Sequence, residues 1–78
     1  MTIGVYAVKD VLQNRFLSPG YADNDELAIR QFKSNVSNIA LWKENPGDFQ
    51  LFKLANFNDE TGEYTADLNM IVNGKGVL

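Results

Sequence analysis

Five of the seven basic residues and five aromatic ones are the side chains with the most chemistry to offer. Arg15, Arg30, Lys33, Lys43 and Lys53 can each neutralise a phosphate, and Tyr6, Phe16, Tyr21, Trp42 and Phe52 each present a π-face. Together these are the parts of a single-strand nucleic-acid site. Cations track the backbone and each stacked base adds ~1–3 kcal/mol. Trp42 and Lys43 are the most suggestive pair, because they follow a predicted helix in an apparent turn. Lys53 interrupts an apolar strand between Phe52 and Leu54, which predicts a solvent-facing ammonium. On this pattern the candidate contacts are Arg15, Arg30, Lys33, Trp42, Lys43 and Lys53.

Each of these residues also has a plainer structural role. Trp42 buries a large apolar area and suits a lid over the core. Phe16 and Phe52 suit the core itself, since a chain this short needs its large apolar groups inside. Arg30 and Lys33 read as a solvated helix face paired locally with Glu26. Tyr6 lies in an apolar strand, where its ring packs and its hydroxyl finds a partner at the edge.

The carboxylates form two groups: Asp23, Asp25 and Glu26, then Asp59, Glu60, Glu63 and Asp67. Either could in principle hold a divalent cation for phosphoryl chemistry. The first is explained equally by a helix start and the second by a hairpin loop. The chain has no His and no Cys. The commonest general base and the thiolate nucleophile are therefore missing, as are the ligands of a zinc site. Gly74-Lys75-Gly76 lacks the Ser/Thr and the following helix of a phosphate-cradling loop. A non-catalytic protein without cofactor is expected.

The elements that must position these groups follow from periodicity. Ile3 to Val8 is apolar at nearly every position and predicts a well-covered strand. Arg15 to Leu17 is a short second strand, closed by Ser18-Pro19-Gly20 and able to pair with the first across a long loop. Asp23 as N-cap with Glu26 three residues on predicts a capping box and a helix from Asn24 to Asn38. Ile29, Phe32, Val36 and Ile39 form its apolar stripe, widened by Leu27, Ala28 and Ala40. Glu26 and Arg30 make a favourable i,i+4 pair on its other side. Leu41 to Glu44 leads out into the Asn45-Pro46-Gly47 turn.

The most informative stretch runs from Asn45 to Tyr64. Phe49 to Phe57 predicts a strand, Asn58 to Gly62 a five-residue loop with Gly62 supplying a positive φ. From Tyr64 the alternation resumes: Tyr64, Ala66, Leu68, Met70 and Val72 share one face, which predicts a half-buried strand. Asn73 to Gly76 is flexible by composition, making 73–78 a loose end. The expected fold is α+β, a single domain over 1–78 with one amphipathic helix on a small antiparallel sheet, in the order strand-strand-helix-strand-strand.

Net charge is −3, from seven basic and ten acidic residues. A dedicated duplex binder shows the opposite balance, because phosphate contacts dominate its affinity. The start, Met1-Thr2-Ile3-Gly4-Val5-Tyr6, lacks the basic n-region and apolar h-region of a signal peptide. No stretch approaches the ~20 apolar residues of a membrane span. The chain therefore reads as soluble, intracellular and free of any membrane. A 78-residue chain has a marginal core and no disulfide to supplement it, so a homodimer is expected.

Several segments, in order, resemble one family. They are Val5-Tyr6-Ala7-Val8-Lys9-Asp10, then Phe16 and Pro19, then Asn24-Asp25-Glu26-Leu27-Ala28-Ile29-Arg30-Gln31-Phe32. Pro46-Gly47-Asp48-Phe49-Gln50-Leu51-Phe52-Lys53-Leu54 and Phe57-Asn58-Asp59-Glu60-Thr61-Gly62 complete the set. The resemblance is to the small nonstructural proteins of gokushoviruses, single-stranded-DNA microviruses (Microviridae) of bacteria, commonly labelled DNA-binding proteins. It spans about residues 5 to 64. Ala55-Asn56 departs from it where a Gly is usual nearby, and the tail after Leu68 does not align.

The resemblance implies a viral accessory protein in the host bacterial cytoplasm, binding single-stranded DNA as genome replication switches to packaging. The acid surplus favours an alternative: a protein-interaction module for a viral replication or capsid protein, with no nucleic acid. In that case the Asp59-Glu60-Thr61-Gly62-Glu63 loop is a natural contact.

Overall fold

The computed structural model describes all residues, Met1–Leu78. Five strands and two helices form: β1 (Thr2–Asp10), β2 (Arg15–Phe16), β3 (Gly20–Ala22), α1 (Asp25–Asn38), α2 (Ala40–Glu44), β4 (Phe49–Asn58) and β5 (Tyr64–Asn73). Short 3-10 turns occupy Pro46–Asp48 and Gly74–Val77. The strands make one antiparallel sheet in the order β2-β1-β4-β5, and β3 pairs with β1 on the same edge as β2. This is the expected α+β architecture, in the expected order, with one strand and one short helix added.

That added strand replaces the closing turn expected at Ser18-Pro19-Gly20. Pro19 has no N–H for a ladder, so pairing stops after Leu17, whose N–H reaches the Val8 carbonyl at 2.8 Å. It resumes at Gly20, with Tyr21 opposite Val5 and Ala22 opposite Gly4. The β1–β2 turn is held by the buried Asp10 carboxylate, which accepts from the Gln13 N–H at 3.2 Å. Asn14 there takes a left-handed φ of 55°, a conformation Asn tolerates.

Helix α1 starts one residue later than the capping-box reading had it. Asn24, not Asp23, is the N-cap. Its backbone is extended and its side chain accepts from the Leu27 N–H at 3.0 Å, satisfying one of the orphan donors of the first turn. Ala28, Phe32 and Val36 are buried on the sheet. The stripe ends before Ile39, whose extended backbone (φ −89°, ψ 116°) breaks the helix and leaves the side chain 41% exposed. Ala40–Glu44 is then a second short helix, α2, where Leu41 to Glu44 reads from sequence as a lead-out. Glu26 and Arg30 do not close into an ion pair; the ion pairs are those of the Met1 ammonium with Asp59 and Glu60, and Lys53 with Asp67.

The core lies between α1 and one face of the sheet: Tyr6, Ala28, Phe32, Val36, Phe49, Leu51 and Val77. The C-terminal segment expected to be loose folds into its 3-10 turn. Asn73 accepts there from the Lys75 N–H, and Val77 enters the core. Gly4 is required beneath Tyr6, because a Cβ at Gly4 would collide with the hydroxyl-bearing edge of the phenol ring. That clearance lets Tyr6 lie over β1 and donate to the Asp25 carboxylate at 2.5 Å. Gly62 has φ 79° and closes the β4–β5 loop as predicted.

The strand expected to be half-buried is not. Every residue from Tyr64 to Met70 is exposed. Two register shifts between β4 and β5 explain part of this. They lie between Leu51 and Phe52 and between Lys53 and Ala55. Each places an extra residue on β5, so Ile71 and Val72 turn to the core while Met70 does not. The rest is simple absence: no element lies over that face of the hairpin.

Candidate functional site

Residues directly opposite in an antiparallel pair share a face. The registers therefore place Ile3, Val5, Ala7 and Lys9 of β1 on the side away from α1. Phe52, Ala55 and Phe57 of β4 join them, with Tyr64, Ala66 and Met70 of β5. Phe16 stands opposite Lys9, and Tyr21 opposite Val5. Leu68 lies between Ala66 and Met70 in the alternation. The result is an open sheet face, largely apolar and rich in aromatic rings.

Its rings form two clusters. Phe16 meets Phe52 edge-on, with centroids 5.2 Å apart at 84°. Phe57 lies between Tyr21 (5.9 Å) and Tyr64 (5.0 Å). The two tyrosines reach toward each other across β1 and β4, and their hydroxyls hydrogen-bond. This pairing raises the Tyr64 pKa above its ordinary value. Val5 and Ala7 of β1, flanked by β4 on one side and by β2 and β3 on the other, are buried although no helix covers them. Lys9 holds its ammonium 5.8 Å from the Phe16 ring centroid, a cation–π contact.

The candidate contacts read from the sequence are dispersed around this face. Arg30 and Lys33 are on the exposed side of α1, and Lys43 is in the last turn of α2. Trp42 is stacked on Phe49 (4.6 Å, 17°) and packs on Phe32, so it closes the core from the helical side. Lys53 does not face solvent. It lies on the α1 side of β4, its side chain 19% exposed and 3.6 Å from the Asp67 carboxylate. Arg15 stands opposite Asp10, on that same side. Phe16 and Phe52, expected in the core, are on the open face instead.

The cation that does reach the open face is Lys9, which the sequence reading passed over. Its alternation with Ile3, Val5 and Ala7 was the available signal. Phe57 and Tyr64 were also missed: a loop over Asn58–Gly62 sets Phe57 opposite Glu63, whereas the strands break at Asn58 and Tyr64 and pair Phe57 with Tyr64. The acidic groups are elsewhere: Asp59 and Glu60 hold the Met1 ammonium at 2.7 and 2.9 Å and raise its pKa. No three carboxylates converge into a set able to hold a metal ion. A cavity of about 170 Å³ lies beside Tyr6, Ala22 and Phe32, and an open, mostly polar cleft of about 480 Å³ lies between Gly4, Asp25, Lys53 and Asn56. No helix is long and apolar enough to cross a membrane.

A family model described as Phage ORF5 protein matches residues 3–77. No curated protein and no solved structure matches the chain.

Proposed function

The chain belongs to the Phage ORF5 protein family, and on that premise we propose that this phage protein is a non-catalytic accessory protein that binds single-stranded DNA on its open sheet face. The observation that carries the reading is the row of exposed rings on a sheet whose other face is closed by a helix. Flat sheets with exposed aromatics are a recurrent platform for unpaired bases, which splay out and stack on the rings. Phe16, Tyr21, Phe57 and Tyr64 are the stacking residues in this reading, and Lys9 is the phosphate contact. Set beside the likeness to gokushovirus nonstructural proteins, this is a role in the host bacterial cytoplasm as genome replication gives way to packaging.

The test is anisotropy of a labelled single-stranded oligonucleotide at several salt concentrations. We expect binding that weakens linearly in log–log form with salt, and a slope reduced by about one for Lys9→Gln. Tyr21→Ala should lose ~1–3 kcal/mol of affinity, the worth of one stacked base. Trp42 fluorescence should stay unchanged, because its ring faces the core. The absence of any binding at low salt and about tens of micromolar protein would sink the reading.

The acid surplus supports a second reading, in which the same face takes a replication or capsid protein. Exposed apolar patches of this kind commonly mark protein contacts. That reading survives the loss of DNA binding and fails if the aromatic variants bind DNA weakly but retain every protein partner of the parent.

A further inference from the structure

The sheet has one long edge that no element covers. On the β1 side the edge is split between two short strands, β2 and β3, separated by Ser18-Pro19. On the other side β5 runs ten residues with no neighbour beyond it; two bulges against β4 and the Asp67 carboxylate interrupt it, and it contains no Lys, Arg or Pro. Natural edges of this length are usually blunted by such residues or covered, because their free N–H and C=O groups recruit another strand. Nucleic acid cannot satisfy that ladder, whereas a polypeptide strand can.

We propose that two copies of this chain pair antiparallel along β5, about a two-fold axis through Leu68, into one continuous sheet. The sequence of the strand selects its own copy as the partner. With the axis at Leu68, Leu68 faces Leu68, Ala66 faces Met70, and Asp67 faces Asn69. Apolar residues meet apolar ones on the open face, and a carboxylate meets an amide on the other. With the axis at Asp67, two carboxylates face each other, which costs stability. An axis between residues sets apolar positions against polar ones, which the pleat forbids.

The ends of the strand agree with this direction. Antiparallel pairing carries the Asp59–Glu63 loop of each copy toward the end of the other that bears Lys75. Parallel pairing sets acid beside acid. The contact is isologous and closes at two copies, and the divided edge beyond β1 gives no route to a fibre. Pairing is edge-on, so it leaves the aromatic face open and does not depend on DNA binding.

The test uses the full chain, which has no native Cys. Light scattering should give twice the 8.7 kDa of one copy. Leu68→Cys should cross-link to itself under mild oxidation, because directly opposed residues sit ~4.5–5.5 Å apart at Cα, within disulfide reach. Ser37→Cys, on the exposed side of α1, should not. Leu68→Lys should raise the dimer dissociation constant at least ~10-fold, because like charges then meet on the axis. Mixing Leu68→Lys with Leu68→Glu should restore a mixed dimer. Leu68 is 66% exposed in one copy, so circular dichroism should show these variants folded. A monomeric parent chain overturns the proposal. So does a dimer that Leu68→Lys leaves intact and Leu68→Cys fails to cross-link.

Discussion

The two faces of the sheet are built from similar residues and have opposite fates. On one, Phe49 and Leu51 meet Phe32 and Val36 of α1, and all four are buried. On the other, Phe52 and Phe57 meet Phe16, Tyr21, Tyr64 and Met70, and the last four are exposed. What differs is the element above. A chain of this length supplies one long helix, and one helix covers one face. The open face closes partly on itself, through the Phe16–Phe52 and Tyr21–Phe57–Tyr64 ring contacts. The lesson is that apolar content placed on a strand does not imply burial. Burial needs a second layer, and where none is supplied the same residues become a surface.

That contrast can be broken by removing a ring from each side. Phe32→Ala should cost about 3–5 kcal/mol, enough to unfold a domain with stability near the low end of the usual ~5–15 kcal/mol. Phe16→Ala should cost well under half of that, since its ring is partly solvated already. Urea titration of both variants decides the matter. Equal losses would mean that the open face is as much a core as the covered one.

Tyr6 sharpens the picture of the covered side. Burial first, and then the hydrogen bond to Asp25, push its phenol above its ordinary value of 10.0. The folded chain therefore holds that proton longer than the unfolded one. The stabilisation is complete below pH 10 and is lost as pH climbs through the raised pKa. Tyr6→Phe should cost about 1.5 kcal/mol at neutral pH, as expected for a hydrogen bond to a charged group. It should also flatten the fall in urea midpoint that sets in above about pH 10.

Smaller effects separate the cap from its neighbour. Asn24→Ala should cost about 1 kcal/mol by leaving the Leu27 N–H without its acceptor. Asp23→Ala should stay within ~0.5 kcal/mol, as for a surface site without a structural partner. Thermal melts of the two variants discriminate the caps, and reversal of the order would restore the capping box at Asp23. Smallest of all is Tyr64→Phe, expected within ~0.5 kcal/mol. It removes one hydroxyl of the Tyr21–Tyr64 pair and leaves both rings in place. A large loss on melting would show that the hydroxyl bridge supports the fold.

Much of the fold was legible because it is locally encoded. The apolar run from Ile3 to Val8, the 3–4 spacing of Phe32 and Val36, and the Asn58–Gly62 loop each rest on neighbours in sequence. The errors came where pairing is long-range. Pro19 announced a turn, yet Tyr21 rejoined β1 sixteen residues upstream. Asp23 and Asn24 both fit a cap, and only the backbone angle at Asn24 chose between them. Of the open face, Phe16, Tyr21 and Phe52 were named from sequence, whereas Lys9, Phe57 and Tyr64 were not. The cations that were named are distributed over the helices and the covered side.

By itself, then, the sequence determined four of the five strands, the span of the long helix and, to within one residue, the hairpin loop, because period and turn chemistry act over a few residues. Alternation also divided β5 into two sets, one with Tyr64, Ala66, Leu68 and Met70, the other with Thr65, Asp67 and Asn69. Only the tertiary structure decided that both sets are left in water from Tyr64 to Met70. Alternation fixes that a strand has two faces, but what covers a face is set by elements far along the chain. Here α1 packs on one side of the sheet, extra residues in β5 turn Val72 toward it, and nothing remains to cover the other.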